Sequence, residues 1–215
     1  MYCIEPRNPV FYTANPQTTI QLKSRHPHVP VVDIWKVAWG RLTSQFIPSV
    51  HPWAVTGYVL GAEITQPLVV VYIQPHFPAI GQTPLAMGQW ATTTNEFSRV
   101  CRRELIRPEK MHKAGRLNLK QFRRAYADNV RAAIVPALHL ACRIPGKVII
   151  TSDHGEALGE EDAKTHIPRF GHSDRWSNLD HILRQVPWVE IDGDKLRDKS
   201  EDDGVKQRLV DLGYM

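Results

Sequence analysis

Short β-branched runs alternate along this chain with longer stretches whose apolar residues recur at helical spacing. Val148-Ile149-Ile150-Thr151, entered through Pro145-Gly146, has the continuous apolar character of a strand buried on both faces of a parallel sheet. Leu68 to Ile73 and Val186 to Ile191 are runs of the same kind, and Phe11 to Thr13 predicts an earlier strand. Between them, Leu117 to Ala141 predicts one long helix. Its Phe122, Tyr126, Val130 and Ile134 recur every four residues with Ala133 and Ala137 alongside, a stripe for docking on a sheet, and Pro136 marks the point for a kink. Asp33 to Leu42 and Trp53 to Ala62 predict two more helices, in which Trp35, Trp39 and the Trp53-Tyr58 pair read as packing residues. Strand, helix, strand in this order implies an α/β fold with a right-handed crossover.

Length and composition narrow the picture without naming a chemistry. A chain of 215 residues buries about 70% of its unfolded surface as one domain, so one domain over residues 1–215 is expected, with a frayed end at 1–8 and a mobile charged segment at 195–203. Val205 to Leu212 predicts a short terminal helix. The 42% hydrophobic and 23% charged fractions are ordinary for a globular protein. Cys3, Cys101 and Cys142 lack metal-type spacing and leave one thiol over in any disulfide scheme, which points to a reducing, cytoplasmic setting. The longest apolar runs are strand length, well below the roughly 20 residues of a membrane helix, so no membrane span is expected.

The net charge of +5 is unevenly spread, with ten basic residues between Arg99 and Arg124 against Glu104 and Glu109. Such a run either forms a solvated helix face or attracts a polyanion such as nucleic acid. No aromatic stacking pattern accompanies it. Basic residues beside an anion-processing site would also speed substrate encounter.

Candidate chemistry concentrates at Asp153-His154-Gly155, directly after the Val148 to Ser152 run. Ligands of open α/β sheets gather beyond the carboxyl ends of strands. A carboxylate beside an imidazole offers a hard oxygen and a borderline nitrogen to a divalent cation, and the glycine allows a sharp turn. An ordinary turn after a strand is the plainer reading of the tripeptide alone. Context adds His172, eighteen residues past His154, and His76, which follows the Leu68 to Ile73 run. Glu156 and Glu160 are candidates for orienting His154, or simply begin the next turn. His166 lies between His154 and His172, where a loop could approach the cation.

Val148-Ile-Ile-Thr-Ser-Asp-His-Gly-Glu-Ala-Leu-Gly-Glu160, Phe170-Gly-His172, Val186-Pro-Trp-Val189 and Ile73-Gln-Pro-His-Phe-Pro78 together resemble sulfatase-like enzymes of the alkaline phosphatase superfamily. The resemblance spans about residues 9 to 191, and its downstream block is the specific part. It implies a three-layer α/β/α sandwich with a mostly parallel central sheet, and a divalent metal ion (Zn, Mn, Ca or Mg) above that sheet. It implies Asp153 and His154 as metal ligands, His172 as a metal or substrate-anion contact, and His76 as a substrate contact. The implied activity is metal-dependent hydrolysis or transfer of phosphate or sulfate esters.

One departure from the family limits that expectation. Its first strand ends in a metal-binding aspartate, and a threonine, serine or cysteine nucleophile follows at a helix start. No such segment precedes the strand at Phe11, so the expected protein is incomplete at its amino terminus, with weak turnover or none. Cys3-Ile4-Glu5-Pro6-Arg7 only partly resembles the sulfatase signature, because proline comes one residue late and a strand-like segment follows where a helix is needed. Asp33 is either a helix cap or a further metal ligand. Three readings stay open: an ester hydrolase or transferase, a non-catalytic relative binding an anion or partner protein, and a nucleic-acid-binding protein using the 99–124 run.

Overall fold

The computed structural model describes residues 9–39, 49–64, 67–85, 107–173 and 176–195. These form a mixed α/β structure in two compact units, the first from the described residues within 1–106 and 125–133 and the second from those within 107–124 and 134–215. Cys3, Cys101, the basic residues from Arg99 to Arg103, the expected helix at 205–212 and nearly all of the charged 195–203 segment lie outside the described residues.

The first unit is built on a parallel three-stranded sheet in which β1 (Val10–Thr13) lies between β2 (Val31–Asp33) and β3 (Leu68–Val71). Phe11 is in register with Val31 on one side and Val69 on the other. Helix α1 (Pro16–Arg25) connects β1 to β2. Asn15 starts it by accepting the Gln17 N–H at 2.9 Å, and Pro16 fits the first turn, where no intrahelical N–H bond is needed. Helix α2 (Ile34–Ala38) follows β2 directly, and α3 (Pro52–Leu60) precedes β3.

The core of this unit joins Ala14, Ile34, Trp35, Ala38, Val50, Val55 and Ile73. Trp35 is buried as a packing residue, whereas Trp53 and Tyr58 are 42% and 44% exposed. On α3 they border the buried positions Val55 and Val59. Tyr72 is largely buried and shares a 2.8 Å hydrogen bond with Thr56; burial pushes its pKa up to about 12.

The second unit holds α4 (Pro108–Lys113), both ends of α5 (Leu119–Ala141) and four strands in two antiparallel pairs. The α5 helix confirms the four-residue apolar spacing and runs through Pro136 without ending. Strand β4 (Lys147–Thr151) pairs with β7 (Trp188–Asp192), and β5 (Ala157–Glu161) pairs with β6 (Pro168–Gly171). A short 3-10 turn (Ser177–Leu179) and α6 (Asp180–Leu183) link β6 to β7.

Two expectations are corrected here. The Val148 to Thr151 run was expected to be buried on both faces of a parallel sheet, but its described partner is antiparallel and Ile149 is 43% exposed. Among the described residues β4 has one strand neighbour, so it is not flanked on both sides as a central parallel strand is. The acidic stretch after Asp153-His154-Gly155 is not a turn but the first strand of a hairpin. Asp162 organises its connection by accepting the Lys164 and Thr165 N–H groups, each at 3.0 Å, while Arg169 donates to its other oxygen at 3.1 Å.

Aromatic packing supports this hairpin. Phe170 meets fully buried Phe122 edge to face, with ring centroids 5.5 Å apart. Gly159, at φ 97°, forms the irregularity between Leu158 and Glu160; a Cβ there would meet Leu119 at 2.9 Å. Among the described residues no helix is long and apolar enough to cross a membrane.

Candidate metal centre

The segment from Ser152 to Glu156 leaves β4 and enters β5, so its course is set by strands at both ends. Gly155 is required for a different reason from the one its sequence suggested. Its φ is not in the left-handed region; instead the chain passes so close to α6 that an added Cβ would lie 1.9 Å from the Ile182 carbonyl oxygen. Its N–H donates to the Leu183 carbonyl at 2.8 Å. The glycine is thus a contact surface that holds His154 and Glu156 against α6.

Pairing of Ala157 with Gly171 places the residues just outside the hairpin, Glu156 and His172, at the same end of the ribbon. His154 joins them from the preceding loop. One ligand atom from each of His154, Glu156 and His172 lies within 4.8 Å of the other two. The two imidazole centroids are 3.8 Å apart with planes tilted by 37°. Nδ1 of His154 is 2.7 Å from the Gly155 carbonyl, and since a carbonyl can only accept, that nitrogen carries the proton. The lone pair then sits on Nε2.

Two carboxylates approach these rings. Asp153 Oδ2 is 3.7 Å from His154 Nε2, with its side chain 88% exposed. Glu156 Oε2 is 3.9 Å from His172 Nδ1, with its side chain only 11% exposed. That distance describes an ion pair rather than a hydrogen bond. The Glu156 carboxylate raises the His172 pKa above the ordinary histidine value, Asp153 adds to the effect, and partial burial opposes it.

The expected site residues are therefore sorted by geometry. His154 and His172 come together, Asp153 flanks His154 from solvent, and Glu156, expected to orient His154, joins the cluster as a potential ligand. Glu160 is engaged elsewhere: Arg123 Nη2 is 3.4 Å from its carboxylate, which also accepts the Leu158 N–H. His166 pairs with Glu161 at 2.6 Å across the hairpin connection. The hairpin was the signal missed in the sequence, where two short extended segments flank Asp162-Ala163-Lys164-Thr165.

His76 belongs to the first unit. It lies half-buried in the loop after β3, with Nδ1 2.5 Å from the Phe77 carbonyl, so Nδ1 is again the protonated nitrogen. Asp33 is also in the first unit, at the start of α2, but makes no side-chain cap there. Its carboxylate instead accepts from Thr19 Oγ1 at 2.5 Å and Trp35 Nε1 at 3.2 Å, and pairs with Lys36 at 3.2 Å and Lys23 at 3.6 Å. Burial pushes its pKa up, but the Thr19 hydrogen bond with Lys36 and Lys23 outweighs burial and leaves it below the ordinary Asp value. With those partners, Asp33 serves the packing of α1 and α2. In the second unit, the basic residues from Arg107 to Arg124 are exposed on α4, α5 and the turn between them.

Comparison of the chain with protein-family models, with curated proteins and with solved structures finds no match.

The donor set, two imidazole nitrogens and a carboxylate oxygen, fits a divalent cation of the zinc or manganese type. Ligand atoms bound about 2.0–2.2 Å from one ion lie at most about 4.4 Å apart. A small side-chain adjustment therefore closes the trio. The 3.7 Å spacing of Asp153 Oδ2 and His154 Nε2, two acceptors facing one another, is also a spacing that a shared cation satisfies.

Proposed function

We propose that the protein is a metal-dependent hydrolase or transferase of phosphate or sulfate esters, similar to sulfatase-like enzymes, with its cation held by His154, Glu156 and His172 and flanked by Asp153. The observation that carries this reading is the convergence of the three side chains within 4.8 Å, with the lone pair of His154 on Nε2. Bound there, the cation supplies Lewis-acid stabilisation of an ester anion. His172 has its own part: cation loading competes with protonation of its ring and weakens as pH falls, and the Glu156 carboxylate, which raises the His172 pKa, extends that competition towards higher pH. Asp153, its carboxylate 3.7 Å from His154 Nε2, is the further proposed ligand. His76 is the proposed substrate contact, and the finer architecture of this reading is the three-layer α/β/α sandwich. A cytoplasmic setting belongs to it on the cysteine pattern alone.

Isothermal titration of the full chain with Zn²⁺ and Mn²⁺ at pH 7.5, followed by assay of p-nitrophenyl phosphate and p-nitrophenyl sulfate, tests the proposal. Saturable binding at one site is expected, weakened at least about tenfold in Glu156→Gln and His172→Ala, with turnover in the loaded protein. Binding without turnover would favour the non-catalytic, anion-binding relative. Binding that neither substitution changes would overturn the site.

A further inference from the structure

Asn129 sits midway along α5, fully buried, and every bond of its side chain goes to one loop. Its Nδ2 donates towards the carbonyls of Pro75, His76 and Pro78 at 3.1, 3.2 and 3.5 Å, and its Oδ1 accepts the Ile80 N–H at 2.9 Å. One amide thus meets both needs of a loop that carries carbonyls at two prolines, which have no N–H of their own. Neighbouring contacts close the loop down on the same stretch of α5. Gly81 packs against the Asp128 backbone, where a Cβ would lie 2.6 Å from its carbonyl oxygen, and Thr83 donates to Asp128 Oδ2 at 2.6 Å.

We infer that Asn129 is a positioning residue for His76, fixing the backbone on both sides of the ring so that the Phe77 carbonyl holds the proton on Nδ1. The inference rests on the reading of His76 as the contact for a phosphate or sulfate ester, and names a residue that acts through it. Both sides of His76 are gripped, because the bonded carbonyls belong to His76 itself and to the residues just before and two after it. A substitution that keeps the size of Asn129 and removes its donor should release the ring without opening a cavity. Asn129→Asp does this, turning a carboxylate towards three carbonyl oxygens.

The test uses the full chain labelled with ¹⁵N in its histidine rings, with the His76 signals assigned by their loss in His76→Gln. At pH 8 the wild-type His76 ring is expected as the Nδ1–H tautomer. Asn129→Asp and the milder Asn129→Ser should shift it towards a tautomer mixture, while Thr83→Val, which removes a neighbouring loop bond, should leave it unchanged. If Asn129→Asp does not fold, Asn129→Ser decides. An unaltered Nδ1–H tautomer in a folded Asn129 variant would overturn the inference, as would an equal change in Thr83→Val.

The kinetic arm separates this inference from the reading beneath it. With turnover of p-nitrophenyl phosphate or sulfate, kcat/KM is expected to fall about 100-fold in Asn129→Asp, and His76→Ala/Asn129→Asp should be no worse than His76→Ala alone. Additive losses would refute positioning through His76. Absence of turnover in the wild type would remove the ester reading, while the ring tautomer would still decide whether Asn129 sets His76.

Discussion

Replacing Gly155 by alanine tests whether close packing, rather than conformational freedom, requires glycine in Asp153-His154-Gly155. The new Cβ would lie 1.9 Å from Ile182 O, 3.0 Å from Ile182 C and 3.3 Å from Gln185 O, whereas Cβ contacts under 3.0 Å are essentially never seen. All three obstacles are backbone atoms, so no side chain can swing aside. The loop and α6 must separate by about an ångström or more, which costs about 1–3 kcal/mol as overpacking. The same movement breaks the 2.8 Å bond from Gly155 N–H to Leu183 O, worth about 1 kcal/mol. Gly155→Ala should therefore destabilise the protein by about 2–4 kcal/mol, lowering the urea midpoint by about 1–2 M for a slope near 2 kcal/mol/M. Gly57→Ala is the control: it lies within α3, where a Cβ meets nothing within 4 Å, and should gain about 0.5–1 kcal/mol from helix propensity. Equilibrium urea unfolding followed by circular dichroism measures both. A Gly155→Ala midpoint within about 0.2 M of wild type, with Gly57→Ala moving upward as expected, would refute the packing argument.

Two further outcomes follow from the structure. Phe122→Ala, which removes a buried ring packed edge to face on Phe170, should cost about 3–5 kcal/mol in the same urea experiment, and a loss below about 1 kcal/mol would show that this aromatic pair is not part of the core. Asp33 is held below its ordinary pKa by Thr19, Lys36 and Lys23, so its stabilisation is fully present above the unfolded value of about 3.9 and is lost as pH falls through the folded value. Asp33→Asn should flatten the decline in thermal midpoint between about pH 5 and pH 3, and an acid limb as steep as wild type would contradict the assignment.

Local pattern alone determined the elements whose signals are short-ranged. The four-residue spacing of Phe122, Tyr126, Val130 and Ile134 identified α5, because helical periodicity is a property of consecutive residues. Phe11 to Thr13, Leu68 to Ile73, Val148 to Thr151 and Val186 to Ile191 each overlap a strand, since β-branched and aromatic residues fit a pleated, half-buried surface. Asp153, His154 and His172 were also legible as chemistry, because adjacent carboxylate and imidazole groups depend on side-chain identity alone.

What sequence could not supply was partnership. Which strands pair, and whether they run parallel or antiparallel, depends on contacts between residues far apart in the chain; this is why β4 was expected in a parallel sheet and forms an antiparallel ribbon with β7. The same limit hid the β5–β6 pairing. Only that pairing, Ala157 opposite Gly171, converts Glu156 from a neighbour of His154 in the chain into a potential ligand beside His172. Gly155 and Asn129 gave no local sign of their roles, because each is defined by what it touches: the Ile182 carbonyl, and the carbonyls around His76. Residue identity determined which chemistry was present in the chain, and tertiary contact decided which side chains could act together.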